Sequence, residues 1–164
     1  MYKGNIFITL LILCAIVGGI YGTYILALKS LPGEFLYPIK TETETLKLST
    51  TELSRVQRAL IYIEFANKRL DEAEALQKKG KSPAKILPVI EKFLENEQFA
   101  LSVMTKETAR VENTTPVYVG LRALLEKQEK ILNRFLETIP APEFYQILDI
   151  KTKSMEALNE YNLR

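Results

Sequence analysis

Between Ile6 and Leu28 the chain carries no charged residue: IFITLLILCAIVGGIYGTYILAL. As a helix, this run reaches about 34 Å at about 1.5 Å per residue. A bilayer's hydrocarbon core is about 30 Å thick, so the run spans it with some tilt. Lys3 and Lys29 bracket the run, with Tyr2 near one end and Tyr21 and Tyr24 near the other. Amphipathic rings favour headgroup depth, as these positions would give them. A cleaved signal has a shorter apolar region, about 7–15 residues, followed by a small-residue cleavage site. No such site follows Leu26, and bulky Leu13 before Cys14 makes a poor lipoprotein signal. The expectation is an uncleaved transmembrane anchor over residues 1–29. Counting Lys and Arg near its two ends leaves the orientation open, because a long domain crosses largely regardless of charge.

Ala15, Gly18, Gly19 and Gly22 share one face of that helix. A small-residue face lets two membrane helices approach closely, so a homodimer is one expected partnership. The competing reading is the ordinary abundance of Gly in membrane helices.

Composition narrows the chemistry. Lys plus Arg is 22 and Asp plus Glu is 20, a net charge of +2, with no His, no Trp and Cys14 as the only cysteine. Lys3 and Lys29 belong to the anchor, so the remainder is neutral. That balance argues against nucleic acid as a partner. Without His, neither a Ser-His-Asp nor a Cys-His arrangement can exist. Imidazole and multi-thiolate metal sites are excluded likewise, as is a diiron site built on Glu-x-x-His. No Gly-rich phosphate loop is present, since Gly18-Gly19 lies inside the apolar run. No catalytic residue, cofactor or metal ligand is therefore expected. The carboxylates Asp71, Glu72, Glu74, Glu91 and Glu95 could in principle pair for catalysis, but their charged neighbours read as a solvated helix face.

After the anchor no stretch reads as a strand, whereas helix signals recur. Ser49-Thr50-Thr51-Glu52 fits a capping box, predicting a helix from there to Lys79 with Gly80 beyond its end. Its apolar face would be Leu53, Val56, Leu60, Ile63, Leu70, Ala73 and Leu76. Ser82-Pro83 starts a second helix running to about Glu112, with Pro88 bending it and Ile86, Ile90, Phe93, Ala100, Leu101, Met104 and Val111 inward. Thr115 caps a third helix before Pro116, which carries Leu121, Leu124, Leu125, Ile131, Leu132, Phe135 and Ile139. Asn113-Thr114-Thr115 also matches a glycosylation sequon, but the cap is the better reading. A last helix, about Pro142 to Tyr161, buries Phe144, Ile147, Leu148, Met155 and Leu158. Short turns make consecutive helices antiparallel. The expected fold is all-α, an N-terminal transmembrane helix followed by an antiparallel bundle of about four helices over 49–164.

Residues 30–48 join the two parts as a docking segment and short helix. Pro32-Gly33 suits a type II turn, and Pro38 opens the helix. Leu31, Phe35, Leu36, Tyr37 and Ile39 are too apolar for a free linker, so this segment should dock on the bundle or on the lipid surface, with Tyr37 a core candidate.

The stretch Leu31-Pro32-Gly33-Glu34-Phe35-Leu36-Tyr37-Pro38-Ile39-Lys40 resembles the PGD-x-LYP-x-K opening of a bacterial helical domain of unknown function. Arg69-Leu70-Asp71-Glu72-Ala73 resembles that family's Arg-Leu-x-Glu-Ala segment. Pro32, Gly33, Tyr37, Pro38, Lys40 and Arg69 carry the match, and Glu34 stands where Asp is usual. The resemblance implies a helical domain outside the cytoplasmic membrane, following a transmembrane helix. Some members are appended to proteins resembling anti-sigma factors. It implies no activity.

The expected protein is thus a single-pass, membrane-anchored, extracytoplasmic helical domain. It would bind or sense at the cell envelope without catalysing, with the bilayer, a second copy or an envelope protein as partner. The alternatives are a structural membrane accessory without a specific ligand and a carboxylate-dependent enzyme.

Overall fold

The structure, a computed structural model, describes residues 3–49, 52–104, 106–140 and 142–160, and every regular element among them is helical. The chain divides into two units, Met1–Lys47 and Leu48–Arg164.

In the first unit, α1 (Lys3–Leu28) has no polar stripe, and large apolar side chains from Ile8 to Leu28 stand exposed around it. A helix that is apolar all round has no single face to bury against a core. Its segment Ile8–Leu28, 21 residues, is long and apolar enough to cross a membrane. After a turn, α2 (Tyr37–Ser49) begins, with Pro38 in its first turn, where the missing amide would have no intrahelical acceptor.

The second unit holds α3 (Arg55–Lys78), α4 (Pro83–Ser102), the short α5 (Lys106–Val111), α6 (Thr115–Thr138) and α7 (Glu143–Glu160). Packing pairs α3 with α4, α4 with α7, α3 with α6, and α6 with α7. The core is apolar and helical in period. Phe93, Phe135, Leu70, Leu76, Ile86, Ile90, Leu121, Leu124, Leu132, Ile147 and Leu158 are fully buried. Each such side chain is stabilising by about 1.5–3 kcal/mol relative to exposure. Tyr62 of α3 stacks on Phe99 of α4 at 5.0 Å, and Gly80, at φ +65, turns the chain between them.

Within the second unit α3 and α4 reverse direction, as do α6 and α7, where Gln128 meets Ser154 and Asn133 meets Lys151. The cross-pairing of α3 with α6 does not. Asp71 meets Lys127 at 2.8 Å, Glu74 meets Arg134, and Gln77 Nε2 donates to Thr138 Oγ1 at 2.7 Å. Residue numbers rise together along both helices, so these two run parallel.

The structure corrects several boundaries. The capping box is Ser54 with Gln57: Ser54 Oγ accepts from Gln57 N, and Gln57 Oε1 accepts from Ser54 N. Ser49 closes α2 instead, and Thr50 and Thr51 lie outside the described residues. The helix from Ser82 stops at Ser102 rather than Glu112, so Val111 belongs to α5 and is 84% exposed rather than buried. Thr114, not Thr115, is the N-cap of α6. Asn113 Oδ1 accepts from Thr115 N at 3.1 Å. Leu148 of α7 is exposed, and Ile150 and Ser154 are buried instead. The stripe drawn for α6 is buried in full, from Leu121 to Ile139.

Candidate functional site

The four small residues of α1 lie on open surface. A Cβ added at Gly18, Gly19 or Gly22 would meet nothing within 4 Å, and Ala15 is exposed. Thr23 Oγ1 turns back to donate to Gly19 O at 2.9 Å, so its hydroxyl is satisfied within the helix.

At the end of α1 the chain makes a tight, hydrogen-bonded exit. Ser30 Oγ donates to Ala27 O at 2.6 Å. Glu34 N donates to Leu31 O at 2.9 Å across Pro32-Gly33, and Gly33 has φ +88. Pro followed by a positive-φ Gly is a type II turn, as the sequence indicated. The Glu34 carboxylate folds back, its Oε2 accepting from Leu31 N at 2.8 Å. An acidic residue here therefore clamps the turn. Lys40, largely buried, donates from Nζ to Ser30 O at 3.3 Å, and its ammonium stands 5.8 Å from the centre of the Tyr37 ring. Tyr37 is half-buried. Pro32, Gly33, Tyr37, Pro38 and Lys40 thus come together as one exit structure. Arg69 does not join them. It lies in the second unit, buried on α3, paired with Glu72 at 2.5 Å.

The sequence places Glu72 on a solvated helix face. Its side chain is only 3% exposed, because Arg69 one turn earlier supplies a compensating charge. The remaining carboxylates of that set are more accessible. Asp71 pairs with Lys127, and Glu95 with Lys92 at 2.5 Å. Glu74, half-buried, is held below the usual carboxylate range chiefly by its hydrogen bond to Lys78, with Arg134 adding to the effect. Among the described residues, no three His, Cys, Asp or Glu side chains converge as metal ligands would.

A second polar cluster escaped the sequence reading. Glu97 on α4 is 0% exposed, as are Gln128 on α6 and Ser154 on α7. Ser154 Oγ donates to Gln128 Oε1 at 2.9 Å, and Gln128 Nε2 faces the Met155 sulfur at 3.9 Å. Neither carboxylate oxygen of Glu97 has a hydrogen-bond partner among the described residues. Burial pushes its carboxyl up to about 7. The nearby Ser154 hydroxyl, its proton committed to Gln128, is the weaker and opposing influence. All three positions interrupt apolar stripes: Glu97 falls between Phe93 and Ala100, Gln128 between Leu124 and Ile131, and Ser154 between Ile150 and Leu158. A polar residue on the inward face is the signal that could have found them.

Glu112, just after α5, reaches the start of α3. Its Oε1 accepts from Arg55 N at 3.2 Å and its Oε2 from Val56 N at 3.1 Å. The Ser54 hydroxyl first, and the Val56 amide next, hold this carboxyl below its ordinary range. The free amides of a helix start are natural anion partners. Beside them, Leu53, Arg55, Arg58, Ser102 and Val103 line an open groove of about 380 Å³.

No curated protein and no solved structure matches this chain significantly. One family does, over residues 29–162, from the last turn before the exit structure through the cluster around Glu97 to the end of α7. The chain therefore belongs to the family described as Domain of unknown function (DUF5667).

Proposed function

We propose that this protein is a single-pass membrane-anchored helical domain that binds or senses at the cell envelope and does not catalyse. The observation that carries the reading is α1, whose Ile8–Leu28 segment leaves its large apolar side chains in the open and carries no charge. In water that surface would be costly at about 25 cal/mol per Å² of apolar area, whereas a bilayer covers it. The four long helices of the second unit then form an antiparallel-hairpin bundle on the far side, extracytoplasmic, with the N-terminus in the cytoplasm. A non-catalytic role is supported by the residue types present: there is no His in the chain, and the carboxylates named above sit in ion pairs or apart.

The test is topology in intact cells lacking an outer barrier. A cysteine placed at exposed Lys130 should react with a membrane-impermeant thiol reagent before lysis, while Cys14, inside the apolar segment, stays silent. Reaction only after lysis would reverse the orientation. Release of the protein from membranes by alkaline carbonate would remove the anchor itself.

A further inference from the structure

α2 turns two charged residues inward and leaves two large apolar ones outside. Its buried positions are Lys40 and Glu44, one turn apart on the same side. Its exposed large apolar residues are Ile39 at 42% and Leu46 at 58%, and Phe35 in the turn before it is 94% exposed. Ile39, Thr43 and Leu46 share one face of α2 at i, i+4 and i+7, and Phe35 stands in the turn that leads into it. Polar Glu42, Thr45 and Lys47 are exposed as well, so α2 shows a mixed surface whose apolar part is Ile39 and Leu46, continued by Phe35, and that part calls for an apolar medium outside it.

The place of α2 says which medium. Lys40 Nζ donates to Ser30 O at 3.3 Å, and Ser30 follows α1 by two residues. The reach of a single lysine side chain thus ties the first turn of α2 to the end of the apolar helix. Leu46 lies only about 9 Å further along the axis, at about 1.5 Å per residue. The type II turn at Pro32-Gly33, clamped by Glu34, fixes where Phe35 emerges. The headgroup layer that receives the end of α1 is therefore within reach of that apolar part. Amphipathic helices with one aromatic and aliphatic face settle in that layer.

We infer that α2 lies on the bilayer surface, with Phe35, Ile39 and Leu46 inserted at headgroup depth on the side where α1 emerges. The partner is the lipid surface itself. This inference rests on the membrane-anchored reading of α1.

The chain has no Trp, so a single introduced Trp is an unambiguous depth reporter. Three full-length variants, Phe35→Trp, Leu46→Trp and Ile16→Trp, are placed in phosphatidylcholine–phosphatidylglycerol vesicles carrying nitroxide labels at shallow or deep acyl positions. Both Phe35→Trp and Leu46→Trp should emit at blue-shifted wavelengths and lose more emission to the shallow label than to the deep one. Ile16→Trp should show the reverse order. Water-like emission from position 35 or position 46, with position 16 quenched by the deep label, overturns the surface-lying helix and leaves the anchor standing. No quenching at position 16 overturns the anchor, and this inference with it. Far-ultraviolet circular dichroism matching the parent chain confirms that each variant reports on the same fold.

Discussion

Ser154 Oγ donates to Gln128 Oε1 at 2.9 Å, and this bond takes the one hydroxyl proton that Glu97 could otherwise have used. Glu97 is left in the middle of the second unit with no donor for a negative charge among the described residues. It is most comfortable protonated, which is why its carboxyl rises from 4.5 to about 7. An uncompensated carboxylate in a packed interior is among the more expensive groups a fold can hold.

A pH dependence follows with a definite sign. Between about 4.5 and about 7 the folded chain holds a proton on Glu97 that the unfolded chain has released. Stability therefore falls as pH rises through this window, is highest below it, and is flat above it as far as Glu97 is concerned. The two pKa values correspond to about 3 kcal/mol at full separation. Glu74 and Glu112, held low, act in the opposite direction but at more acid pH. Urea midpoints of the detergent-solubilised chain, taken across pH 5 to 8, should drift downward. Glu97→Gln, which keeps the shape and removes the charge, should flatten the drift and raise the midpoint at pH 8. Parallel curves for the two proteins would mean that Glu97 finds a donor in solution.

The Arg69–Glu72 pair behaves differently because its charges meet each other. Their side chains are 6% and 3% exposed. Removing one partner strands the other, so Arg69→Ala should cost about 3–5 kcal/mol. Replacing both, Arg69→Met with Glu72→Leu, should recover most of that loss, since a buried pair is worth little more than well-packed apolar groups. The readout is again the urea midpoint. A double variant as weak as Arg69→Ala would show that the pair is needed for its hydrogen bonds to the rest of the unit and not only for mutual neutralisation.

Much of this architecture was legible because apolar spacing carries it. The α6 stripe from Leu121 to Ile139 is buried as drawn, and the charge-free run became α1. The start of α3 was not legible, for a definite reason. Ser49-x-x-Glu52 and Ser54-x-x-Gln57 fit the same local pattern, and the choice is made from a distance by Glu112, whose carboxylate binds the amides of Arg55 and Val56. The stop after Ser102 has no Gly or Pro to announce it. Val111 and Leu148 fit their stripes but are exposed: Val111 comes after the stop at Ser102, and Leu148 falls beside the inward line of Ile147, Ile150, Ser154 and Leu158. Of the six residues that carry the resemblance, the five of the opening segment meet at the exit and Arg69, from the downstream segment, serves a separate ion pair; sequence proximity was a fair guide to the first group and silent on the last.

Gly120 marks a close approach of α6 to α3. A Cβ there would stand 3.2 Å from Ile63 Cδ1 and 3.4 Å from its Cγ2. Gly120→Val forces a branched side chain into that contact and should cost about 1–3 kcal/mol through overpacking. The cost should shrink in an Ile63→Ala background, where the opposing methyl groups are gone. Such a positive coupling is expected only for residues in direct contact. Additive midpoint shifts in the four-member cycle would mean that the two helices separate enough to admit the new side chain.

The small-residue face of α1 makes the last prediction. Gly22 has nothing within 4 Å of its added Cβ, so Gly22→Leu introduces no clash within one protomer. Leu is also the better helix former by several tenths of a kcal/mol, and it suits lipid. Any loss caused by this substitution must therefore come from a second molecule. Two α1 helices meeting on the Ala15–Gly18–Gly19–Gly22 face would bring their backbones close, and a Leu at position 22 would hold them apart. Association of the isolated apolar segment in a bilayer reporter assay should drop for Gly22→Leu. Leu13→Ala, on the opposite side of the helix, is the control and should leave the signal where it was. Equal signals from all three segments, with normal insertion, would assign the glycines to background composition. A loss in both variants would point to a helix that associates through its whole circumference rather than through this face.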